Sequence, residues 1–138
     1  MKGTTATRLD HVGIAVRDLG ERLALYGAAL GLTPSPPEDV PSESVRVVFL
    51  PAGDTRLELL EPTSADSPIA RFLDRRGEGV HHICLAVPDL DAALDRLRQQ
   101  GVVLVDEQPR KGAEGSRVAF VHPRGAGGVL IELKEARD

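Results

Sequence analysis

Apolar and polar residues alternate along residues 8–16. Val12, Ile14 and Val16 point one way; His11, Gly13 and Ala15 point the other. That is a strand with one branched face for packing on helices and one face of small residues beside a histidine. Asp18 can cap a helix over 19–30, where Leu23, Ala24, Tyr26, Gly27 and Leu30 form an imperfect stripe, and Gly31 ends it. Prolines 34, 36, 37 and 41 make residues 34–44 a loop. Residues 45–50 and 56–60 read as the strands of a hairpin turning at 51–54, and 68–73 as a short helix.

The stretch 10–19 (DHVGIAVRDL) returns 71 positions later, His11 becoming His82, as 81–90 (HHICLAVPDL). Here His82, Cys84 and Ala86 share one strand face and Ile83, Leu85 and Val87 the other. Asp89 or Asp91 caps a helix through Gln100, with Leu90, Ala93, Leu94 and Leu97 as its stripe. Strands are predicted at 102–105, 118–121 and 129–134, separated by a polar loop at 107–115 and a glycine-rich turn at 123–128. An internal repeat sets the architecture before any single residue is read. The expected fold is α+β. Two tandem β-α-β-β-β modules, about 8–62 and 80–135 with a linker at 63–79, form a curved, barrel-like mixed sheet around a metal site.

Composition narrows the setting. The 138 residues suit a single domain, and 41% hydrophobic with 28% charged residues suits a soluble globular one. The net charge is −4 with no long basic run, which argues against a nucleic-acid partner. No apolar run reaches membrane-spanning length, and residues 1–8 lack the apolar segment of a secretory signal. The one cysteine, Cys84, cannot form an internal disulfide, so a reducing cytoplasm is the expected compartment.

The candidate chemistry lies where the repeat and an interruption of the apolar pattern coincide. Glu58 sits between Leu57 and Leu59 and Glu132 between Ile131 and Leu133, each on the last strand of its module. A histidine at the start of a strand is more often structural than a ligand, and a lone acid can be an edge charge. Matched positions change that balance, because burying two carboxylates is costly and one shared cation offsets the cost for both. His11, Glu58, His82 and Glu132 are therefore the expected metal ligands, on the axis relating the modules. Imidazole nitrogens with carboxylate oxygens suit a borderline-to-hard divalent ion. The lack of a thiolate argues against a closed structural zinc site. Cys84 shares the His82 face but reads better as a small buried hydrophobe.

These residues carry a resemblance. The chain resembles the vicinal oxygen chelate (glyoxalase/dioxygenase-like) superfamily, and within it the methylmalonyl-CoA epimerase family, from Leu9 to Leu133. The more specific pieces are 57–62 (LELLEP) followed by 66–70 (DSPIA), 79–83 (GVHHI), 115–118 (GSRV), 120–123 (FVHP) and 128–133 (GVLIEL). The resemblance implies an epimerase that inverts the α carbon of methylmalonyl-CoA in propionate metabolism, through an enolate stabilised by a divalent ion. Cobalt is the ion most favoured; manganese, magnesium, zinc and nickel are compatible. It also implies an acyl-CoA as partner and a homodimer.

In such enzymes the metal-site glutamate of the last strand, here Glu132, serves as acid/base on one face of the substrate. Some members carry a second glutamate in the strand equivalent to 45–48, where this chain has Arg46, which stays protonated. Glu43, Glu61 and His122 are then the nearby candidates for the second group. Arg110, Lys111, Ser116, Arg117 and His122 are candidates for contacting substrate. Two rival readings share the fold: a glyoxalase-type isomerase or other metal enzyme, and a metal-free small-molecule binder. The ligand quartet argues against the second.

Overall fold

A computed structural model describes residues 6–136 of the chain. It contains eight strands and three α-helices: β1 (Arg8–Ala15), α1 (Leu19–Leu23), β2 (Glu38–Val40), β3 (Val45–Ala52), β4 (Thr55–Pro62), α2 (Pro68–Arg76), β5 (Gly79–Val87), α3 (Leu90–Gln99), β6 (Arg110–Lys111), β7 (Arg117–Val121) and β8 (Ile131–Glu135). The chain divides into two compact units. The first is His11–His81; the second joins the described residues up to Asp10 to those from His82 onward. Each is a βαβββ module, and the α+β class expected from the sequence is what forms. No helix among the described residues is long and apolar enough to cross a membrane.

In the first unit the strands lie in the order β2-β3-β4-β1. β1 runs parallel to β4, with His11 beside Arg56 and Gly13 beside Glu58. β3 and β4 form an antiparallel hairpin that places Phe49 opposite Glu58. Strand pairing continues through Pro51 and Ala52, so only Gly53 and Asp54 turn, with Gly53 at φ +65°. The wider turn expected at 51–54 is therefore mostly strand. Pro51 is tolerated because β2 pairs with β3 only as far as Val47 and needs no N–H from residue 51. β2 itself escaped the sequence reading, since three residues flanked by prolines show no periodicity.

One face of this sheet packs Val48, Leu50 and Leu59 against Val16 and Leu19, with Leu23, Tyr26 and Leu32 closing over them. The helix expected over 19–30 is α-helical only to Leu23 and continues as π-helix through Ala29. The Leu30 N–H reaches back to the Leu25 carbonyl at 2.9 Å, and Gly31 at φ +81° ends the run. Asp18 caps α1 by accepting from the Glu21 N–H, and the Glu61 carboxylate accepts from the Leu19 N–H at 2.9 Å.

The second unit repeats the plan in the order β5-β8-β7-β6. β5 is parallel to β8, and β7 is antiparallel to both β8 and β6. Its core joins Val87, Leu90, Leu94, Ala119, Val121 and Leu133. Asp89, rather than Asp91, caps α3, and the Glu135 carboxylate accepts from the Leu90 N–H at 3.1 Å, as Glu61 does for α1. The strand expected at 102–105 is a correction. Only Leu104 makes a bridge, to Val121, and the sheet position falls instead to Arg110–Lys111, which pairs with β7. Arg124–Gly125 explains part of this: a side chain at Gly125 would stand 3.1 Å from the Val103 N–H, so the turn lies against that segment's backbone.

Candidate metal centre

His11 is held by β1, whose small-residue face is buried and whose Val12 and Ile14 face the helix side. Glu58 comes from the neighbouring β4. The two meet with Nε2 and Oε1 3.2 Å apart, and both side chains are almost fully buried. In the second unit β5 and β8 do the same for His82 and Glu132, again 3.2 Å between Nε2 and Oε1. Four buried side chains of ligating type, two from each unit, thus each present one donor atom. Two donors at right angles around one ion, each about 2.2 Å from it, stand about 3.1 Å apart. Each His–Glu pair has that spacing, and its N and O donors are those a divalent ion takes. The pairs therefore fit the metal that the sequence implies.

An aromatic ring backs each histidine. Phe49 meets His11 edge to face, centroids 5.4 Å apart, and Phe120 meets His82 in the same way at 5.9 Å. A guanidinium lies over each of these rings: Arg56 4.0 Å from the Phe49 centroid and Arg110 5.1 Å from that of Phe120. The two arginines come from non-equivalent strands, β4 and β6, yet each cations the ring that backs its unit's histidine. Both units therefore build a stack of Arg, Phe, His and Glu.

The units differ two residues beyond the glutamate. Leu60 occupies the first, buried; Lys134 occupies the second. The Lys134 Nζ lies 3.4 Å from an Asp10 carboxylate oxygen and 3.7 Å from Glu114 Oε1. Neither Arg56 nor Lys134 was singled out by sequence reasoning. The signal for Lys134 was present, since by period 2 it shares the face of Glu132. The signal for Arg56 was present in the same way beside Glu58, but its contact with Phe49 depends on the hairpin register.

The remaining sequence candidates fall in several places. Arg110 reaches the Phe120 ring, with its Nε 3.4 Å from Asp106. Lys111 is exposed and Ser116 is buried, in register with Val118 and Phe120. Arg117 points to the other side of β7 from Phe120. Its guanidinium is held above its ordinary pKa by a hydrogen bond to Glu135, then by one to Asp91. His122 caps the turn at 123–125, its Nδ1 accepting from the Arg124 N–H at 3.0 Å. Glu61 caps α1. Glu43 ends a 3₁₀ turn and is half-buried. Arg46 lies on the helix side of β3 and pairs with Asp39 at 3.0 Å. The β3 residues on the side of Glu58 are Val45, Val47, Phe49 and Pro51, so this strand offers no acid there. His81 faces away from His82 and meets Phe72 edge to face at 5.0 Å.

Comparison with known proteins places this arrangement. The glyoxalase/bleomycin resistance protein/dioxygenase superfamily model matches residues 10–120. An ethylmalonyl-CoA/methylmalonyl-CoA epimerase of Cereibacter sphaeroides is 44% identical over 93% of this chain and 97% of its own. The crystal structure of methylmalonyl-CoA epimerase from Mycobacterium tuberculosis superposes with a TM-score of 0.91 at 42% identity, covering 100% of this chain and 93% of that one. A methylmalonyl-CoA epimerase in complex with methylmalonyl-CoA and NH4+ gives 0.89 at 39% identity, with 94% of each chain covered. The chain belongs to the glyoxalase/bleomycin resistance protein/dioxygenase superfamily, and within it to the family of the methylmalonyl-CoA epimerases.

Proposed function

We propose that this protein is a metal-dependent epimerase that inverts the α carbon of methylmalonyl-CoA. The observation that carries the reading is the buried His–Glu pair at 3.2 Å, present once in each unit of a chain that is 44% identical to a known epimerase. His11, Glu58, His82 and Glu132 are proposed to share one divalent ion. The repeat that makes the pairs equivalent supports a common ion, and so does the economy of neutralising two buried carboxylates at once. Bound there, the ion supplies Lewis-acid stabilisation of the negative charge that develops as the α proton leaves.

The chain's own residues supply the rest. Glu132 is proposed to take the α proton: its Oε1 lies beside His82 Nε2, which would leave Oε2 for proton transfer. Burial of both pairs lowers the local dielectric, which strengthens stabilisation of the charge that develops there. Phe49 and Phe120 hold the imidazoles in T-shaped contacts that restrict the orientation of each ring. Return of a proton to the opposite face needs a second group. Glu61 and His122 are engaged as caps, and β3 presents Val45, Val47, Phe49 and Pro51 on the side of Glu58, which leaves Glu43 of the sequence candidates. The test is proton NMR of methylmalonyl-CoA in deuterated water. The metal-loaded protein exchanges the α proton, and the metal-stripped protein does not.

A further inference from the structure

We infer that Arg56 recognises the free carboxylate of the acyl-CoA, so that the site selects malonyl-type thioesters over simple acyl thioesters. The inference rests on the epimerase reading above. Arg56 precedes Glu58 by two residues on β4 and so shares its face, and in the parallel pairing with β1 it stands beside His11. Its guanidinium lies 4.0 Å from the centroid of the Phe49 ring, and that ring makes the T-shaped contact with the imidazole of His11. The cation is therefore placed within two side chains of a proposed metal ligand.

The stacking matters as much as the charge. A guanidinium lying on an aromatic face has its planar fork pre-organised, with N–H donors directed outward in the plane of the group. Carboxylates match that fork with two parallel hydrogen bonds. An exposed arginine would have to be ordered by the ligand; this one is already ordered by Phe49. The position also discriminates between the anions of an acyl-CoA. The pantetheine arm sets the phosphates many bonds from the thioester carbon, whereas the carboxylate is attached to the α carbon itself. A cation adjoining His11 suits the near anion. Arg56 acts on binding and orientation, and moves no proton.

The experiment compares malonyl-CoA with propionyl-CoA, which carries a methyl group where malonyl-CoA carries the carboxylate, by calorimetric titration of the metal-loaded protein. Wild type is expected to bind malonyl-CoA more tightly. Arg56→Met, which keeps the packing on Phe49, is expected to weaken malonyl-CoA about tenfold to a hundredfold, the worth of a lost charge-assisted pair. Propionyl-CoA should change by less than about twofold on that account, since it lacks the group being recognised. Arg56→Lys should recover part of the loss, and serves if the methionine variant does not fold. Metal content, measured by elemental analysis, should equal wild type in both. Equal weakening of both ligands would assign Arg56 to the phosphates and overturn the inference, and so would unchanged affinity for malonyl-CoA. A wild type that binds both ligands alike would also overturn it while leaving the epimerase reading to the proton-exchange assay. A wild type that binds neither would overturn both.

Discussion

Glu61 accepts a hydrogen bond from the Leu19 backbone N–H at 2.9 Å, and this ties the last strand of the first unit to the start of its helix. Glu135 and Leu90 repeat the link in the second unit. Each glutamate stands three residues beyond the proposed ligand on its strand, and hence on the opposite face. The ligand strand and the helix behind it are thereby locked in register. Glu61→Ala should lower the melting temperature by roughly 3–6 °C, from the loss of about 1 kcal/mol of capping. Epimerisation should stay within a few-fold of wild type, because the carboxylate is committed to the cap. Loss of turnover in a protein that still melts cooperatively would instead make Glu61 the second acid/base.

The proposed ligands predict a metal phenotype. His82→Ala removes one of the four proposed donors and leaves Glu132 alone in the second unit's pair. Elemental analysis after equilibrium dialysis should show metal content well below that of wild type. Unchanged stoichiometry would place the ion elsewhere.

Stability should depend on pH through Glu78. Its carboxyl is held below the usual glutamate range, first by the Arg17 backbone N–H at 2.7 Å and then by the Arg22 guanidinium at 2.8 Å. A lowered folded-state pKa favours the ionised form in the native protein. Its contribution is complete above the ordinary value of 4.5 and is lost as pH falls through the lowered one. Glu78→Gln should therefore melt below wild type at pH 7, and the gap should close as the pH falls below the ordinary value and through the lowered one. A gap that persists in acid would show that charge is not its source.

Lys134 and Asp10 are both mostly buried, with Nζ and carboxylate 3.4 Å apart. Lys134→Met leaves the Asp10 charge poorly compensated and should destabilise the protein by about 1–3 kcal/mol, somewhat less than for a fully buried pair. The Asp10→Asn, Lys134→Met double variant should recover most of this in denaturant melts. Additive losses would mean that the two are not coupled.

How much of this was legible in sequence follows from which signals are local. The quartet His11, Glu58, His82 and Glu132 was legible because period 2 fixes faces within a strand and the repeat supplies the match between modules. The caps Asp18 and Asp89 were legible because a cap is a contact over three residues. β2 and β6 were not, since two or three residues cannot show a period. The β-branched run at 102–105 suggested a strand, yet it forms only an isolated bridge at Leu104, flanked by single backbone hydrogen bonds from Val105 to Phe120 and from His122 to Val103. Arg46 drew attention as a substitution in β3. The register shows that Val47, not Arg46, faces the side of Glu58, and a one-residue shift in a strand reverses its face. The Arg56–Phe49 stack crosses the hairpin, so it becomes visible only when that register is known.

In the proposed mechanism buried His–Glu pairs hold an ion while Glu132 moves the α proton. Proton NMR of methylmalonyl-CoA in deuterated water tests this most directly, with metal-loaded wild type, metal-stripped wild type and Glu132→Gln side by side. The loaded wild type should exchange the α proton. That exchange should be lost on stripping, recover on adding the ion back, and fall by at least about a hundredfold in a folded Glu132→Gln variant. Exchange that survives stripping, or a glutamine variant with near wild-type rates, would contradict it.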